Sequence, residues 1–169
     1  VSPEQMASAY TAFANKGVRV QPRFVTKIVD ANGKIVVDNT AVKENRVTTE
    51  EVAKKMTSML LTVYGSEGLG APFSPAGKTI AGKTGTTEAI NNDNGSRDQW
   101  MIGYTPDVVV ATWMGYDQSG NYSLSASSRE GVGPLFKLEM EGLLQFTANT
   151  PFNVEAVKTK QNNQNNNTN

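Results

Sequence analysis

Gly77-Lys78-Thr79-Ile80-Ala81-Gly82-Lys83-Thr84-Gly85-Thr86-Thr87, or GKTIAGKTGTT, is the stretch whose reading decides the fold. Its first eight residues match the phosphate-binding pattern G-x-x-x-x-G-K-[ST] letter for letter. That loop works only when it follows a buried strand and runs straight into a helix, so that its amides face phosphate. Neither flank complies. The preceding APFSPA (71–76) holds two prolines and cannot be a central strand. The following Gly85-Thr86-Thr87 leads toward Asn91, Asn92, Asn94 and Gly95, which is no helix. The consistent reading is a strand over Thr79 to Thr87, with side chains alternating between faces. Lys83 and Gly85 then share one face, and Thr84 and Thr86 the other. At a cleft edge such a strand offers a cation, two hydroxyls and main-chain groups along one line. Gly85 keeps the wall clear for an extended peptide bound by strand addition and held by its terminal carboxylate.

Working outward, Gln99–Thr105 and Val108–Tyr116 read as two strands, antiparallel across Thr105-Pro106-Asp107. The second is apolar nearly throughout, which places it in a covered sheet. Ser2 to Asn15 reads as a helix: Ser2 caps it, Pro3 suits its first position, and Gln5 completes a capping box. Met6, Ala9, Tyr10 and Phe13 form its apolar stripe, and Gly17 ends it. Val18 to Asp38 is strand-like, with a hairpin turn at Ala31-Asn32-Gly33. Thr48 to Tyr64 is a second helix, with Val52, Met56, Met59, Leu60 and Val63 on its core face. Gly65 to Gly77 and Glu88 to Arg97 are loops. Pro134 to Phe146 closes the chain as a helix bearing Phe136, Met140, Leu143 and Leu144. The sum is α+β: a largely antiparallel sheet with helices packed on both faces. Residues 1–150 form this unit and 151–169 an Asn-rich tail, whose final KTKQNNQNNNTN, from Lys158, has nothing apolar to bury and is expected to be disordered.

Composition narrows the chemistry. The 169 residues carry 16 Lys+Arg against 16 Asp+Glu, a net charge of +0, with no His and no Cys. Neutrality argues against nucleic acid as a partner, because binding phosphate needs a clustered basic surplus. The missing His and Cys exclude Ser-His-Asp and Cys-His catalysis within the chain, thiol redox chemistry and the usual zinc sites. Lys, Ser/Thr, carboxylates and amides remain. The longest apolar run, Val108–Tyr116, is about half of the ~20 residues a membrane helix needs. VSPEQMASAY lacks the basic start and apolar core of a signal peptide, so any anchor or export signal is expected outside these residues.

Three blocks, VSPEQMASAYTAFANKG, AGKTGTT and DQWMIGYTPDVVVATWMGYD, together resemble the penicillin-binding proteins. In particular they are similar to the transpeptidase domain of the bifunctional class A members, from Val1 to about Phe146. The family is marked by S-x-x-K, an S-x-N-type motif and K-T-G. The resemblance implies the C-terminal part of the serine β-lactamase/penicillin-binding transpeptidase fold. It implies a serine acyl-enzyme formed on a peptidoglycan stem peptide ending in D-Ala-D-Ala, resolved by an amine from a neighbouring strand, and trapped by β-lactam antibiotics. No cofactor or metal is implied. By the same resemblance, Lys83 supplies positive potential and helps organise proton transfer, while the Thr84 and Thr86 hydroxyls bind the substrate carboxylate beside Gly85. The Thr86 N–H would be one oxyanion-hole donor, a kind of contact typically worth about 3–4 kcal/mol in the transition state. The setting implied is the extracellular face of a bacterial membrane, with the anchor elsewhere in the protein.

The chain departs from the pattern. It has no S-x-x-K; Ser74 precedes Lys78 by four residues, one too many. Its S-x-N, Ser119-Gly120-Asn121, follows K-T-G instead of preceding it and reads as a loop coincidence. The nucleophile is therefore expected in an upstream part of the same domain, which becomes a necessary partner. A carboxypeptidase or β-lactamase-like hydrolase, and a non-catalytic module retaining the cleft wall, are the alternative readings. Trp100 and Trp113 read as sheet packing, Glu67 as a solvated loop carboxylate, and Glu88 as a candidate for the cleft mouth. The sequons at Asn94, Asn121 and Asn166 mean little in an Asn-rich chain. Labelled penicillin should leave no covalent adduct on the 169-residue chain by itself; a stoichiometric adduct on one of its serines would overturn this reading.

Overall fold

The computed structural model describes residues 1–89, 95–118 and 122–158. Helix α1 (Pro3–Ala14) begins as the capping box requires: Gln5 N donates to Ser2 Oγ at 3.2 Å and Ser2 N to Gln5 Oε1 at 3.0 Å. Its buried residues are Ser8 and Ala12; Tyr10 and Phe13 pack against Tyr104, while Ala9 is exposed. Strands β1 (Val18–Val20), β2 (Lys27–Val29), β3 (Ile35–Asp38) and β4 (Glu44–Arg46) follow. β2 and β3 form the expected hairpin, with Gly33 at φ +80° and the Asp30 carboxylate accepting from Asn32 N and Lys34 N. β1 pairs instead with β4, whose Glu-Asn-Arg sequence carries no strand signal.

Helix α2 (Glu50–Tyr64) starts at Thr49, whose Oγ1 accepts from Val52 N at 3.2 Å. Its buried stripe is Ala53, Thr57, Leu60, Leu61 and Tyr64. The apolar pattern suggested a face rotated from this one, yet Val52 and Met59 are 45% and 46% exposed. Small Ala53 and Thr57 let the helix lie close to the sheet, and Thr57 Oγ1 meets the buried Tyr104 hydroxyl at 2.9 Å. Tyr64 donates to the Ile102 carbonyl at 3.1 Å. Size and hydrogen bonding, more than hydrophobicity, chose this face.

After a 3₁₀ turn (Ala71–Phe73) come β5 (Ala81–Glu88), β6 (Ser96–Tyr104) and β7 (Val109–Gly115). They form one antiparallel sheet in the order β5-β6-β7. β7 packs against α1 and α3 but is an outer strand of the described sheet, not an interior one. Helix α3 (Val132–Leu144) buries Val132, Phe136, Met140 and Leu144, one residue per turn, leaving Leu143 45% exposed. Met101, Val110 and Tyr64 complete its core cluster. The opposite face of the sheet packs Tyr104 and Ala81 with Leu60, Leu61, Tyr10 and Phe13. Packing also continues beyond residue 150: Phe152 meets Tyr104 edge to face at 5.9 Å, and Val157 N donates to Ser58 O at 3.1 Å. The stretch first read as tail thus begins by docking on α2, while residues 159–169 lie outside the described part.

The seam between α3 and β6 depends on Gly103. A Cβ there would lie 2.5 Å from Phe136 Cζ and 3.1 Å from Met140 Cε. Gly103→Ala should cost about 1–3 kcal/mol by overpacking, measured by chemical denaturation. The cost should shrink in a Phe136→Leu background, where the far edge of the ring is gone; equal costs in both would exonerate the ring.

Candidate functional site

β5 has one neighbour, β6, and its other edge is unpaired among the described residues. The register sets Lys83 opposite Ile102, Thr84 opposite Met101, Gly85 opposite Trp100 and Thr86 opposite Gln99. Cross-strand partners share a face. Lys83 and Gly85 therefore lie on the Trp100 face, and Thr84 and Thr86 on the Met101–Gln99 face that α3 covers. Lys83 and Thr86 are exposed, Thr84 and Gly85 half-buried. Lys83 Nζ donates to the Thr84 carbonyl at 2.7 Å.

Gly82 and Gly85 serve different ends. A Cβ at Gly82 would come within 1.9 Å of the Ile102 carbonyl and 2.8 Å of the Tyr64 ring, so packing demands glycine there. At Gly85 a Cβ would meet only Trp100 Cβ, at 3.5 Å, an ordinary contact. The protein's own packing leaves room for a side chain at Gly85.

Asp98 anchors the far end of the strand. Its carboxylate accepts from Thr87 Oγ1 at 2.8 Å, Trp113 Nε1 at 3.1 Å and Arg97 Nε at 3.3 Å, and Asp98 N donates to Thr87 Oγ1 at 3.0 Å. Burial pushes its pKa up, but the bonds from Thr87, Trp113 and Arg97 outweigh that and hold it below the usual carboxylate value. Trp100 and Trp113 pack with ring centroids 6.2 Å apart. Together with Ser2, Gln5, Asp98 and Tyr116 they line a groove of about 650 Å³ on the Lys83 face.

The structure thus sets Lys83, Thr84, Gly85 and Thr86 along one edge strand. Glu88 sits exposed at its end, opposite Ser96, and Glu67 is exposed in its loop. Ser119-Gly120-Asn121 and the sequons at Asn94, Asn121 and Asn166 involve residues outside the described part. Sequence reasoning missed Ser128, whose Oγ lies 3.2 Å from Thr86 Oγ1 across 42 residues of chain. It also missed the fully buried Gln99, the one amide side chain of β6.

β5 is thus an edge strand of the described antiparallel sheet, bearing Lys-Thr-Gly-Thr, and the sheet is backed by α2 and α3. The profile of the penicillin binding protein transpeptidase domain matches residues 1–137, and the chain belongs to that family. It is 41% identical over 155 residues to penicillin-binding protein 2a of Streptococcus pneumoniae (strain D39), covering 91% of this chain and 21% of that protein. Among solved structures, it resembles the Mycobacterium tuberculosis PonA1 protein in complex with penicillin V, with TM-score 0.72 and 31% identity over 91% of this chain and 41% of that one. The D,D-transpeptidase domain of a peptidoglycan glycosyltransferase from Eggerthella lenta is similar with TM-score 0.63 and 29% identity, covering 83% of this chain and 32% of that one. The chain spans about a fifth of the length of these curated relatives.

Because Asp98 has a lowered pKa in the folded protein, its stabilising contribution is present above the unfolded value of about 3.9. That contribution is lost as pH falls through the lowered folded value. Asp98→Asn should therefore flatten part of the acid limb of a melting-temperature profile below about pH 4, leaving the slope above pH 6 unchanged. An acid limb identical to that of the parent would remove Asp98 from this role.

Proposed function

We propose that this chain is the Lys-Thr-Gly-Thr half of a peptidoglycan D-Ala-D-Ala transpeptidase, completed by an upstream part of the same domain that carries the nucleophilic serine. The observation that carries the reading is the edge of β5 that has no partner strand among the described residues, with a cation, two hydroxyls and main-chain groups in line. Antiparallel pairing alternates which residues bond to the neighbour. The Thr84 carbonyl accepts from Lys83 Nζ, and the alternation puts the main-chain groups of Thr84 and Thr86 on the same edge of the strand as each other. The room left at Gly85 suits a substrate backbone lying against the strand.

In this mechanism the upstream serine attacks the carbonyl between the two D-Ala residues, and the terminal D-Ala leaves as an amine. An amine of a second stem peptide then takes the acyl group and frees the serine. Lys83 holds positive potential at the site and assists proton transfer. The Thr84 and Thr86 hydroxyls bind the terminal carboxylate, and Thr86 N–H stabilises the developing oxyanion together with the serine's own N–H. A β-lactam enters by the same contacts and stops at the acyl-enzyme. Such chemistry belongs at the extracellular face of a bacterial membrane; no described helix is long and apolar enough to cross one, so the anchor is assigned to a segment outside this chain.

Thr84→Val in the whole enzyme should slow acylation by penicillin about 10-fold or more, the loss of one hydrogen bond to a charged group, with an unchanged melting temperature. Acylation at the parental rate would remove Thr84 from the cleft.

A further inference from the structure

Behind the Lys83–Thr86 edge, a loop from another part of the chain is fixed by a buried amide. Gln99, opposite Thr86 on β6, is fully buried, and its Nε2 donates to Ser96 Oγ at 2.8 Å and to the Ala126 carbonyl at 2.7 Å. Ser96 and Leu124 exchange main-chain bonds at 3.2 and 2.7 Å, tying the same loop to the sheet. On the other side Gly133 N donates to the Ser128 carbonyl at 2.9 Å. Ser127 is held in turn by Glu130, which accepts from its N at 3.1 Å and its Oγ at 2.9 Å. The loop between these ties carries Ser128 to Thr86, where the two hydroxyls stand 3.2 Å apart.

Among the described residues, Gln99 Oε1 is buried without a hydrogen-bond partner. A Cβ on Gly131 would lie 2.9 Å from it, so the loop must close over this oxygen with glycine. Leaving a buried acceptor unpaired is destabilising, and a leucine would fill the space without that cost. The amide is nevertheless there, and what it does with its donor end is hold the Ser128 loop.

We propose that Ser128 is a substrate-binding residue of this cleft, its hydroxyl joined with that of Thr86 in a two-hydroxyl cradle for the carboxylate of the peptide or β-lactam, and that Gln99 is the positioning residue that sets it there. The proposal rests on the reading of Lys83–Thr86 as the cleft wall. Thr86 is exposed and Ser128 half-buried, so both hydroxyls are reachable. Each supplies one O–H donor, and an ionised carboxylate accepts at two oxygens. The bond they now share exchanges for two charge-assisted bonds when the carboxylate arrives.

The test compares acylation of the whole enzyme by penicillin V and by its methyl ester, which lacks the charge. Ser128→Ala should lower the acid-over-ester ratio of acylation rate constants roughly 10-fold, and Ser128→Thr should restore it. Gln99→Leu should lower the ratio in the parent but add nothing to Ser128→Ala. If Thr84→Val lowers the ratio and Ser128→Ala does not, the cradle is wrong while the cleft wall stands. If neither lowers it, the cleft wall reading fails, and the cradle with it. A further loss from Gln99→Leu in the Ser128→Ala background would remove Gln99 from its positioning role.

Discussion

The pairing of β5 with β6, along one edge only among the described residues, is the constraint from which the rest follows. Residues Ala81 to Thr87 of β5 are held in one register by β6, which fixes their side chains to alternate faces before the register shifts at Glu88. Among the described residues the other edge has no partner strand, so the Lys-Thr-Gly-Thr run is held in position and still available. Gly82 lets Tyr64 and the Ile102 carbonyl press on the base of the strand, and Asp98 ties its far end through Thr87. Between these two fixed points sits the stretch assigned to the substrate. A cleft wall needs this combination, since a mobile strand would lose the advantage of preorganised donors.

Support from behind comes in two layers. Phe136 and Met140 on α3 fill the space over Gly103, and Tyr64 stacks on Phe136 with centroids 5.5 Å apart. On the opposite face Tyr104 gathers Tyr10, Phe13 and Phe152 around one ring. Burial pushes the Tyr104 hydroxyl up to about 12, and it stays neutral beside Thr57. Aromatic packing on both faces leaves the sheet little freedom, and the edge strand inherits that stiffness.

Much of this was legible in the residues, and the exceptions have physical causes. The capping box of α1 and the Asn32-Gly33 hairpin are local, so Ser2, Gln5 and Gly33 announce them directly. The flanks of GKTIAGKTGTT sufficed to reject a phosphate loop, and the segment Ala81–Glu88 is indeed a strand. The buried face of α2 was misread because Ala53 and Thr57 win their places by size and by a hydroxyl bond, which a hydrophobic pattern does not register. β4 was missed because three polar residues pair through the main chain alone. β6 starts at Ser96 instead of Gln99 because Asp98 finds partners for its charge within the sheet. The approach of Ser128 to Thr86 spans 42 residues and depends on one buried amide, so no local pattern could reveal it.

The central claim is that this chain forms one wall of an acyl-transfer cleft whose nucleophile lies upstream. A crystal structure of the whole enzyme acylated by penicillin V tests it most directly. The antibiotic should be bonded to a serine upstream of Val1, with its carboxylate at hydrogen-bonding distance, about 2.7–3.2 Å, from the Thr84 and Thr86 hydroxyls. An acyl group attached to a serine of this chain, or a carboxylate facing away from β5, would contradict it.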